Sequence, residues 1–324
     1  MTEKWLVGVD LGGTTTKLAF INLYGEIIEK WEITTDTSKE GKNIVTNIAK
    51  SIDEQLEFLG HPKGGVLGVG MGAPGPVNLE TGIIYGAVNL GWKEEYPLQN
   101  IMEAETSLPV IIDNDANCAA LGEMWKGAGN EAKDLVCVTL GTGVGGGIIT
   151  NGSIVHGKSG AAGEIGHITS VPNGGFKCNC GKTGCLETVA SATGIVRIAA
   201  QAIQSSNRET ELAAIFKRNN KVSAKDIFDL ARKHDQDALR VIEEVAFHLG
   251  LALANLANTL NPNSIIIGGG VSKAGNLLLD RVRMNFLKFA FPRVAKSTEL
   301  GLATLGNDAG VIGAAWLVKN KLSL

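Results

Sequence analysis

A local pattern occurs twice in the chain, an apolar strand followed by a glycine-rich turn and a second strand, and this repetition limits the possible folds. The first copy spans residues 5–23 and the second spans residues 135–149. Asp10 ends the first apolar strand, and Thr139 lies near the corresponding place in the second copy. A strand and turn order that repeats in this way predicts a duplicated α/β fold, with two lobes and a ligand cleft between them.

The turn after Asp10 is predicted to be a β-hairpin turn that holds phosphate through backbone N–H groups and hydroxyls. A Walker A loop would open a helix at this point, whereas residues 18–23 form an apolar run that ends in a second turn. Asp10, at the end of its strand, would face a phosphate-bound Mg²⁺. Taken alone, a turn of this composition is also typical of an ordinary hairpin.

A second polar group follows the apolar strand at residues 109–112. Asn114 and Asp115 come at the carboxyl end of this strand and open a helix, which is where open α/β sheets place ligands. The helix dipole favours an ionised Asp115, whereas burial would raise its pKa. The alternative interpretation is that Asp115 is simply the N-cap of the helix.

Cysteines cluster in the second half of the chain. Three of the five fall within residues 178–185, and His167 precedes them. Three thiolates and one imidazole are a complete tetrahedral ligand set for structural zinc, and the glycines among them let a short segment fold around one ion. A disulfide or three unrelated thiols is the less favoured alternative, because clustered cysteines inside cells serve metal or redox chemistry. Glu164 and Glu187 lie just before and just after these four residues in the sequence. We therefore expect the metal to hold this segment as a rigid wall of a site that binds a polar ligand.

Composition excludes several classes of protein. The chain has 324 residues, of which 44% are hydrophobic and 19% charged, so a large core is expected and disorder is not. A net charge of -3 gives no basic face for nucleic acid. Charged residues near the N-terminus leave no signal peptide, and the apolar stretch at residues 245–260 contains His248, which argues against a membrane span. A cytoplasmic protein is therefore expected.

Five motifs stand in one order, at residues 10–17, 72–76, 114–117, 140–147 and 164–187. Together they resemble the ROK family of the sugar kinase and actin superfamily, over essentially the whole chain. The resemblance implies a two-lobed actin/hexokinase-like (ribonuclease H-like) fold and phosphorylation of D-glucose at its 6-hydroxyl by ATP. The implied small lobe is residues 1–117 with residues 307–324, and the implied large lobe is residues 118–306.

The resemblance also implies a role for each motif, with Asp115 as the catalytic base. The residues implied to bind the sugar, besides Asp115, are Gly75, Asn89, Asn114, Glu164, His167 and Glu187. The residues implied to bind ATP and its Mg²⁺ are Asp10, Gly12, Gly13, Thr14, Thr15, Lys17, Gly141, Thr142, Gly143, Gly268, Gly269 and Gly270. The implied ligands of a structural Zn²⁺ are His167, Cys178, Cys180 and Cys185. Glucose and ATP are the implied partners, without nucleic acid or membrane, and a homo-oligomer (dimer or tetramer) is expected.

Three alternatives to a glucokinase activity stay open at this point. The sugar could be fructose, mannose, allose or N-acetylmannosamine, and the donor could be polyphosphate. The protein could also be a sugar-sensing regulator, as some ROK proteins are. Regulators of the family carry an N-terminal helix-turn-helix, and the first strand here is predicted to begin at Trp5, so that DNA-binding segment is expected to be absent.

Overall fold

The protein is described by a computed structural model covering residues 3–92, 95–205, 209–219 and 221–323. The strands are β1 (Trp5–Leu11), β2 (Thr15–Asn22), β3 (Ile27–Thr34), β4 (Val66–Ala73), β5 (Val77–Asn78), β6 (Ile83–Tyr85), β7 (Glu95–Tyr96), β8 (Val110–Asn114), β9 (Leu135–Leu140), β10 (Val144–Thr150), β11 (Ser153–Ile154), β12 (Ser264–Gly268) and β13 (Glu299–Leu302). The helices are α1 (Ser38–Gly41), α2 (Ile44–Leu59), α3 (Leu98–Thr106), α4 (Asp115–Lys126), α5 (Glu187–Ala190), α6 (Ala192–Ser205), α7 (Glu211–Asn219), α8 (Ala224–Arg232), α9 (Gln236–Leu260), α10 (Asn276–Phe289), α11 (Pro292–Ser297) and α12 (Ala309–Lys321).

The chain forms two compact units. The first consists of Met1–Glu131, Gly147–Ala162 and Leu305–Leu324, and the second of Ala132–Gly146 and Gly163–Thr304. These bounds differ from those of the predicted lobes because α4 packs on α12 and therefore stays whole within the first unit. The predicted lobes, residues 1–117 with 307–324 and residues 118–306, stay a prediction about which segments act together.

The first unit contains a five-stranded sheet in the order β3-β2-β1-β4-β8. β1 pairs antiparallel with β2, whereas β1, β4 and β8 are mutually parallel. Because apolar residues recur at about one helical turn along α2, its stripe of Ile44, Ile48, Ile52 and Leu56 is buried in the core of this unit. Gly60 ends the helix in the left-handed conformation, with φ of 64°, which explains the glycine at this position.

Helix α12 approaches the sheet and α4 backbone to backbone, and glycines make this approach possible. A Cβ atom on Gly8 of β1 would lie 2.0 Å from the carbonyl oxygen of Val311, and one on Gly70 of β4 would lie 1.7 Å from that of Ala314. Any larger side chain would push the helix off the sheet. The close contact fixes the ends of β1 and β4 relative to the start of α4, which is where the candidate site lies.

The second unit repeats this layout. The second sheet has five strands in the order β11-β10-β9-β12-β13, with β9, β12 and β13 parallel to one another, so that β10-β9-β12-β13 correspond to β2-β1-β4-β8 of the first sheet. The predicted internal duplication is therefore present. Ser223 caps α8 with a reciprocal bond to Asp226, and Asp235 caps the long buried helix α9. None of the helices in the described ranges is both long and apolar enough to cross a lipid bilayer.

Candidate active site and metal centre

Parallel pairing brings the polar strand ends of the first unit to one edge of its sheet. Asp10 at the end of β1 pairs with Gly72 of β4, and Gly72 pairs with Asp113 of β8. Asn114 and Asp115 follow directly, at the start of α4. Asp10 and the Asn-Asp pair, which the sequence places at two separate strand ends, therefore lie at the same edge of the sheet.

Asn114, and not Asp115, is the N-cap of α4. Its Oδ1 accepts hydrogen bonds from the N–H groups of Ala116, at 2.9 Å, and Asn117, at 3.4 Å. Its Nδ2 donates to the carbonyl oxygen of Gly75 at 3.2 Å. The alternative interpretation of Asp115 as the N-cap is therefore wrong. The side-chain oxygen of Asn114 is thus already occupied, and its amide also bonds to Asp115 and lowers the pKa of that carboxyl in part.

The carboxyl group of Asp115 is accessible to solvent, yet the protein around it displaces much of the bulk water. This desolvation is the main reason that the pKa of Asp115 is raised to about 6, and the nearby carboxylate of Asp10 contributes to the increase. The N–H of Ala116 donates to Oδ1 at 2.8 Å and lowers the pKa in part. A carboxylate with a pKa close to neutral is suited to accept a proton from a hydroxyl group at pH 7.

The β1–β2 turn, which holds the predicted phosphate-binding residues, is a tight hairpin turn. The N–H of Gly12 donates to the carbonyl oxygen of Thr15 at 3.2 Å, and the hydroxyl of Thr35 donates to the carbonyl oxygen of Gly12 at 2.8 Å. Asn89 lies against Gly13, where an added Cβ would be 3.2 Å from its Nδ2. The structure thus brings the predicted sugar-binding residue Asn89 to the turn that also carries Gly12 and Thr14.

Lys17 is the cation nearest to Asp10, with 3.6 Å between its Nζ and Oδ2 of Asp10. Burial raises the pKa of Asp10, and the positive charge of Lys17 lowers it in part. A partly buried carboxylate that is incompletely compensated favours a nearby dication. The carboxylate oxygens of Asp10 are hard donors, which suit Mg²⁺, so this residue fits the predicted metal.

In the second unit, the two predicted ATP-binding stretches lie side by side. The β9–β10 turn is closed by a hydrogen bond from the N–H of Gly141 to the carbonyl oxygen of Gly143, at 2.9 Å. Gly269 has φ of 81°, and an added Cβ would lie 2.5 Å from the carbonyl oxygen of Leu140. The turn of residues 141–143 and the stretch of residues 268–270 therefore meet at the end of β9.

Glu187 joins this turn to the cysteine cluster. Its Oε2 accepts a hydrogen bond from the N–H of Val144 at 3.0 Å, and its Oε1 lies 3.9 Å from Sγ of Cys178. The second bracketing carboxylate, Glu164, lies on the other side of the cluster, with Oε2 3.8 Å from Nε2 of His167. Both glutamates are thus adjacent to the candidate metal ligands, and each keeps carboxylate oxygen free for a ligand.

The four predicted metal ligands converge. The ligand atoms of His167, Cys178, Cys180 and Cys185 all lie within 4.8 Å of one another. Two Sγ atoms, of Cys180 and Cys185, are 3.7 Å apart, and Nδ1 of His167 is 3.6 Å from Sγ of Cys178. Tetrahedral zinc with Zn–S near 2.3 Å and Zn–N near 2.05 Å requires separations of about 3.8 and 3.6 Å. The donor set and its spacing therefore fit zinc.

The chemistry of the cysteine and histidine cluster also favours the binding of a metal cation. Burial and, to a smaller extent, the neighbouring thiols of Cys180 and Cys178 together raise the pKa of Cys185 to about 12. A thiolate at this position is therefore costly unless a cation compensates for its charge. All five cysteines of the chain are free of disulfides, so the disulfide alternative is wrong. With Nδ1 of His167 facing the thiols, its Nε2 faces Glu164, an arrangement typical of a metal-bound imidazole oriented by a carboxylate.

Three polar residues of the first unit were not singled out from the sequence. Asp113 is buried, and it accepts hydrogen bonds from the side chains of Asn117 and His156, each at 2.8 Å. Asp113 and Asn117 lie next to the Asn-Asp pair in the sequence, and this proximity is the signal by which they could have been identified. His156 lies in a loop without periodicity, and nothing local relates it to Asp113.

The duplicated sheet carries a glycine-rich hairpin turn in each copy, and in the first unit an aspartate with a raised pKa follows a strand end. This combination defines a phosphoryl-transferring enzyme of the actin/hexokinase-like fold class, in which a protein acts mainly by positioning and charge neutralisation.

Comparison with known proteins gives the family. The model of the ROK family matches residues 6–321. A glucokinase of Halalkalibacterium halodurans is 56% identical over 99% of this chain and 97% of its own length. A glucokinase of Thermotoga maritima is 36% identical over 99% of both chains. A solved ROK family glucokinase of Streptomyces griseus, in complex with glucose and AMPPNP, matches with a TM-score of 0.78 at 36% identity, covering 98% of this chain and 99% of that one. The chain belongs to the ROK family.

The predictions of the family and of a duplicated actin/hexokinase-like fold are thus confirmed, and so is the prediction of a sugar kinase. The roles predicted for individual residues stay predictions, because the comparisons concern whole chains.

Proposed function

We propose that the protein transfers the γ-phosphoryl group of ATP to the 6-hydroxyl of D-glucose and releases glucose 6-phosphate. The observation that carries this proposal is Asp115, which is free of the capping role and has a pKa near 6. The similarity to glucokinases of other bacteria, at 56% identity in one case, supports both glucose as acceptor and ATP as donor.

The first unit supplies the base and part of the sugar site. Asp115 accepts the proton of the 6-hydroxyl as the phosphoryl group transfers in line. Asn114 contacts a sugar hydroxyl through its side-chain amide, and Gly75 and Asn89 complete this part of the site. The β1–β2 turn, residues 12–15, holds phosphate oxygens.

Asp10 holds the Mg²⁺ of the nucleotide, and Lys17 assists in binding phosphate. The chemistry that Mg²⁺ supplies when bound is neutralisation of phosphate charge.

The second unit supplies the remaining sugar and nucleotide contacts. Glu164 and Glu187 accept hydrogen bonds from sugar hydroxyls, since ionised carboxylates are acceptors only. The turn of residues 141–143 binds phosphate, and the stretch of residues 268–270 approaches the nucleoside. Zn²⁺ bound by His167 and the three cysteines has a structural role, because four protein ligands fill a tetrahedral site and leave no open position.

The remaining alternatives share the sugar kinase fold and differ in substrate or role. They are a different hexose, polyphosphate as donor, and a non-catalytic regulator. We also propose that the protein is cytoplasmic and forms a homo-oligomer (dimer or tetramer). We propose neither nucleic acid nor a membrane as its partner. These two proposals rest on the family resemblance and the composition.

One assay separates the substrate alternatives. Purified protein is incubated with Mg²⁺, either ATP or polyphosphate, and each of glucose, fructose, mannose, allose and N-acetylmannosamine, and the sugar phosphate is measured. The proposal expects the highest kcat/KM with glucose and ATP. A higher kcat/KM with another hexose contradicts glucose as the acceptor, and a higher value with polyphosphate contradicts ATP as the donor. If no combination of sugar and phosphate donor gives a sugar phosphate, the result indicates a regulator.

The pH dependence of the reaction tests the state of Asp115. A base must be deprotonated, so kcat/KM for glucose is expected to rise with pH through an apparent pKa of about 6 and to level off above it. The rise is expected to be about tenfold per pH unit on the acid side. Protein unfolding at each pH is followed by near-UV circular dichroism as a control. A rate that is flat from pH 5 to pH 8 in folded protein argues against a single aspartate base.

Substitution of Glu187 by Gln tests the sugar contact of the second unit. The amide can still accept the hydrogen bond from the N–H of Val144, but it then presents an NH₂ group in place of a carboxylate oxygen to the sugar. We expect the KM for glucose to rise roughly 10- to 100-fold with a smaller change in kcat, because a hydrogen bond to a charged group is lost from ground and transition states alike. Glu211→Gln, on the exposed first turn of α7, is the matched control. A large loss in kcat at unchanged KM would assign Glu187 to the chemical step instead.

A further inference from the structure

Asp113, the residue before the Asn-Asp pair, is a buried carboxylate that holds the start of α4 in place. Its Oδ1 accepts hydrogen bonds from the backbone N–H of Asn114, at 2.7 Å, and from Nδ2 of Asn117, at 2.8 Å. Its side chain is only 3% exposed. Both donors belong to the strand end and first turn that carry Asp115, so the position of the Asp113 carboxylate fixes the position of that turn.

His156 supplies the third hydrogen bond to this carboxylate. Its Nε2 lies 2.8 Å from Oδ2 of Asp113, and because an ionised carboxylate only accepts, Nε2 carries the proton. No lysine or arginine among the described residues forms an ion pair with Asp113. The oxygen that faces away from α4 is therefore held by a single residue, 43 positions later in the chain.

The backbone around His156 is itself closed into a loop. The carbonyl oxygen of His156 accepts a hydrogen bond from the N–H of Ala162 at 3.0 Å, which joins the two ends of residues 156–162. Gly160 of this loop packs on β5 of the same unit, where an added Cβ would lie 2.8 Å from the carbonyl oxygen of Val77. The loop is thus a defined structural unit, and the imidazole is its side-chain link to the strand end.

We propose that His156 is a positioning residue for the phosphoryl transfer reaction, acting through Asp113 on Asn114 and Asp115. The kinetic consequence of this inference rests on the proposed function, whereas the structural role of His156 in positioning Asp113 does not depend on that function. With the hydrogen bond from Nε2 removed, the buried carboxylate is free to turn toward water, and it draws its two other donors with it. A displacement of about 1 Å at a catalytic group can lower a rate by as much as about 100-fold.

Two substitutions of His156 separate positioning from general stability. His156→Gln keeps an N–H donor at a similar distance from the backbone, whereas His156→Leu removes the donor and keeps the bulk. Lys158→Met, at an exposed position of the same loop, is the control for disturbance of the loop. For each variant kcat and the KM values for glucose and ATP are measured, with the melting temperature.

The expected result is a kcat for glucose that falls roughly 10- to 100-fold in His156→Leu, with an ATP KM that stays within about twofold, since the nucleotide residues are untouched. His156→Gln and Lys158→Met are expected to retain kcat close to that of the unchanged protein. Equal losses in the Gln and Leu variants, or an unchanged kcat in His156→Leu, would overturn the proposal. So would a loss that only follows a lower folded fraction.

A second readout does not depend on any substrate. Amide hydrogen exchange of peptides that cover residues 113–118 reports how firmly the start of α4 is held. Faster exchange there is expected in His156→Leu and not in His156→Gln. If exchange responds in this way while the unchanged protein phosphorylates no glucose, the positioning role stands and the proposed function fails. If glucose is phosphorylated and exchange does not respond, the positioning role fails alone.

Discussion

Asp115→Asn is expected to lower kcat for glucose by about 10² to 10⁴, the usual cost of losing a positioned base. The substitution keeps the size and shape of the side chain and removes only its basicity. Its structural cost is small, because Asn114 is the residue that caps α4 and an amide oxygen can still accept the N–H of Ala116. The affinity for glucose is therefore expected to change much less than kcat.

Three measurements make this test specific. Glucose affinity from titration calorimetry and the melting temperature show whether the site and the fold persist. The acid limb in the pH profile is expected to disappear along with the activity, because the group that titrates near pH 6 is gone. If Asp115→Asn turned over at a nearly unchanged rate, the base would have to be sought elsewhere, and the raised pKa would have no catalytic meaning.

The sequence predicts the duplicated fold well because the pattern that carries it is local. Each strand, turn and strand is contiguous, and the stripe of apolar residues in α2 follows directly from helical periodicity. Helix ends were predictable for the same reason, since Ser223 at the start of α8 caps its own helix. Such features depend on neighbours in sequence, which are visible without a structure.

Other elements have no comparable signal. Helices α3, α7 and α11 and strand β13 are not predicted by the patterns in the sequence. Helix α3 has a mixed composition in which only a few positions, Leu98 and Met102 among them, are buried. Strand β13 has four residues, and its pairing with β12 supplies the stabilisation that its own sequence lacks. These elements form because of tertiary contacts that periodicity does not encode.

The residues of the candidate site also divide into those that a local sequence pattern predicts and those that only tertiary contacts reveal. The motifs gave the Asn-Asp pair and the Cys and His cluster, because the residues of each lie close together in the chain. The sequence left open whether Asp115 is simply the N-cap of α4, and only the side-chain geometry shows that Asn114 fills this role and releases Asp115. The contact of His156 with Asp113 joins residues far apart in sequence, so no local pattern could have predicted it.

Loss of the zinc site is the second change with a large expected effect. Purified protein is expected to contain about one zinc per chain, and prolonged chelation is expected to remove it, because Cys180 is exposed at the edge of the site. A structural zinc contributes its binding free energy to folding. A loss of several kcal/mol would lower the melting temperature by about 10 °C or more, at roughly 2–4 °C per kcal/mol for a domain of this size.

Cys185→Ser is expected to reproduce the effect of chelation, whereas Lys182→Ala, at an exposed position between the same ligands, is expected to have little effect. The consequence for function follows from Glu187, whose carboxylate lies beside Cys178 and accepts the N–H of Val144. When the cysteine segment loses its shape, Glu187 and Glu164 lose their fixed positions, so glucose affinity is expected to fall together with thermal stability. Fully active protein without zinc by elemental analysis would contradict this prediction, and so would an unchanged melting temperature after chelation. In either case the convergence of His167 and the three cysteines would be a packing arrangement of neutral side chains, and the two glutamates would owe their positions to the backbone alone.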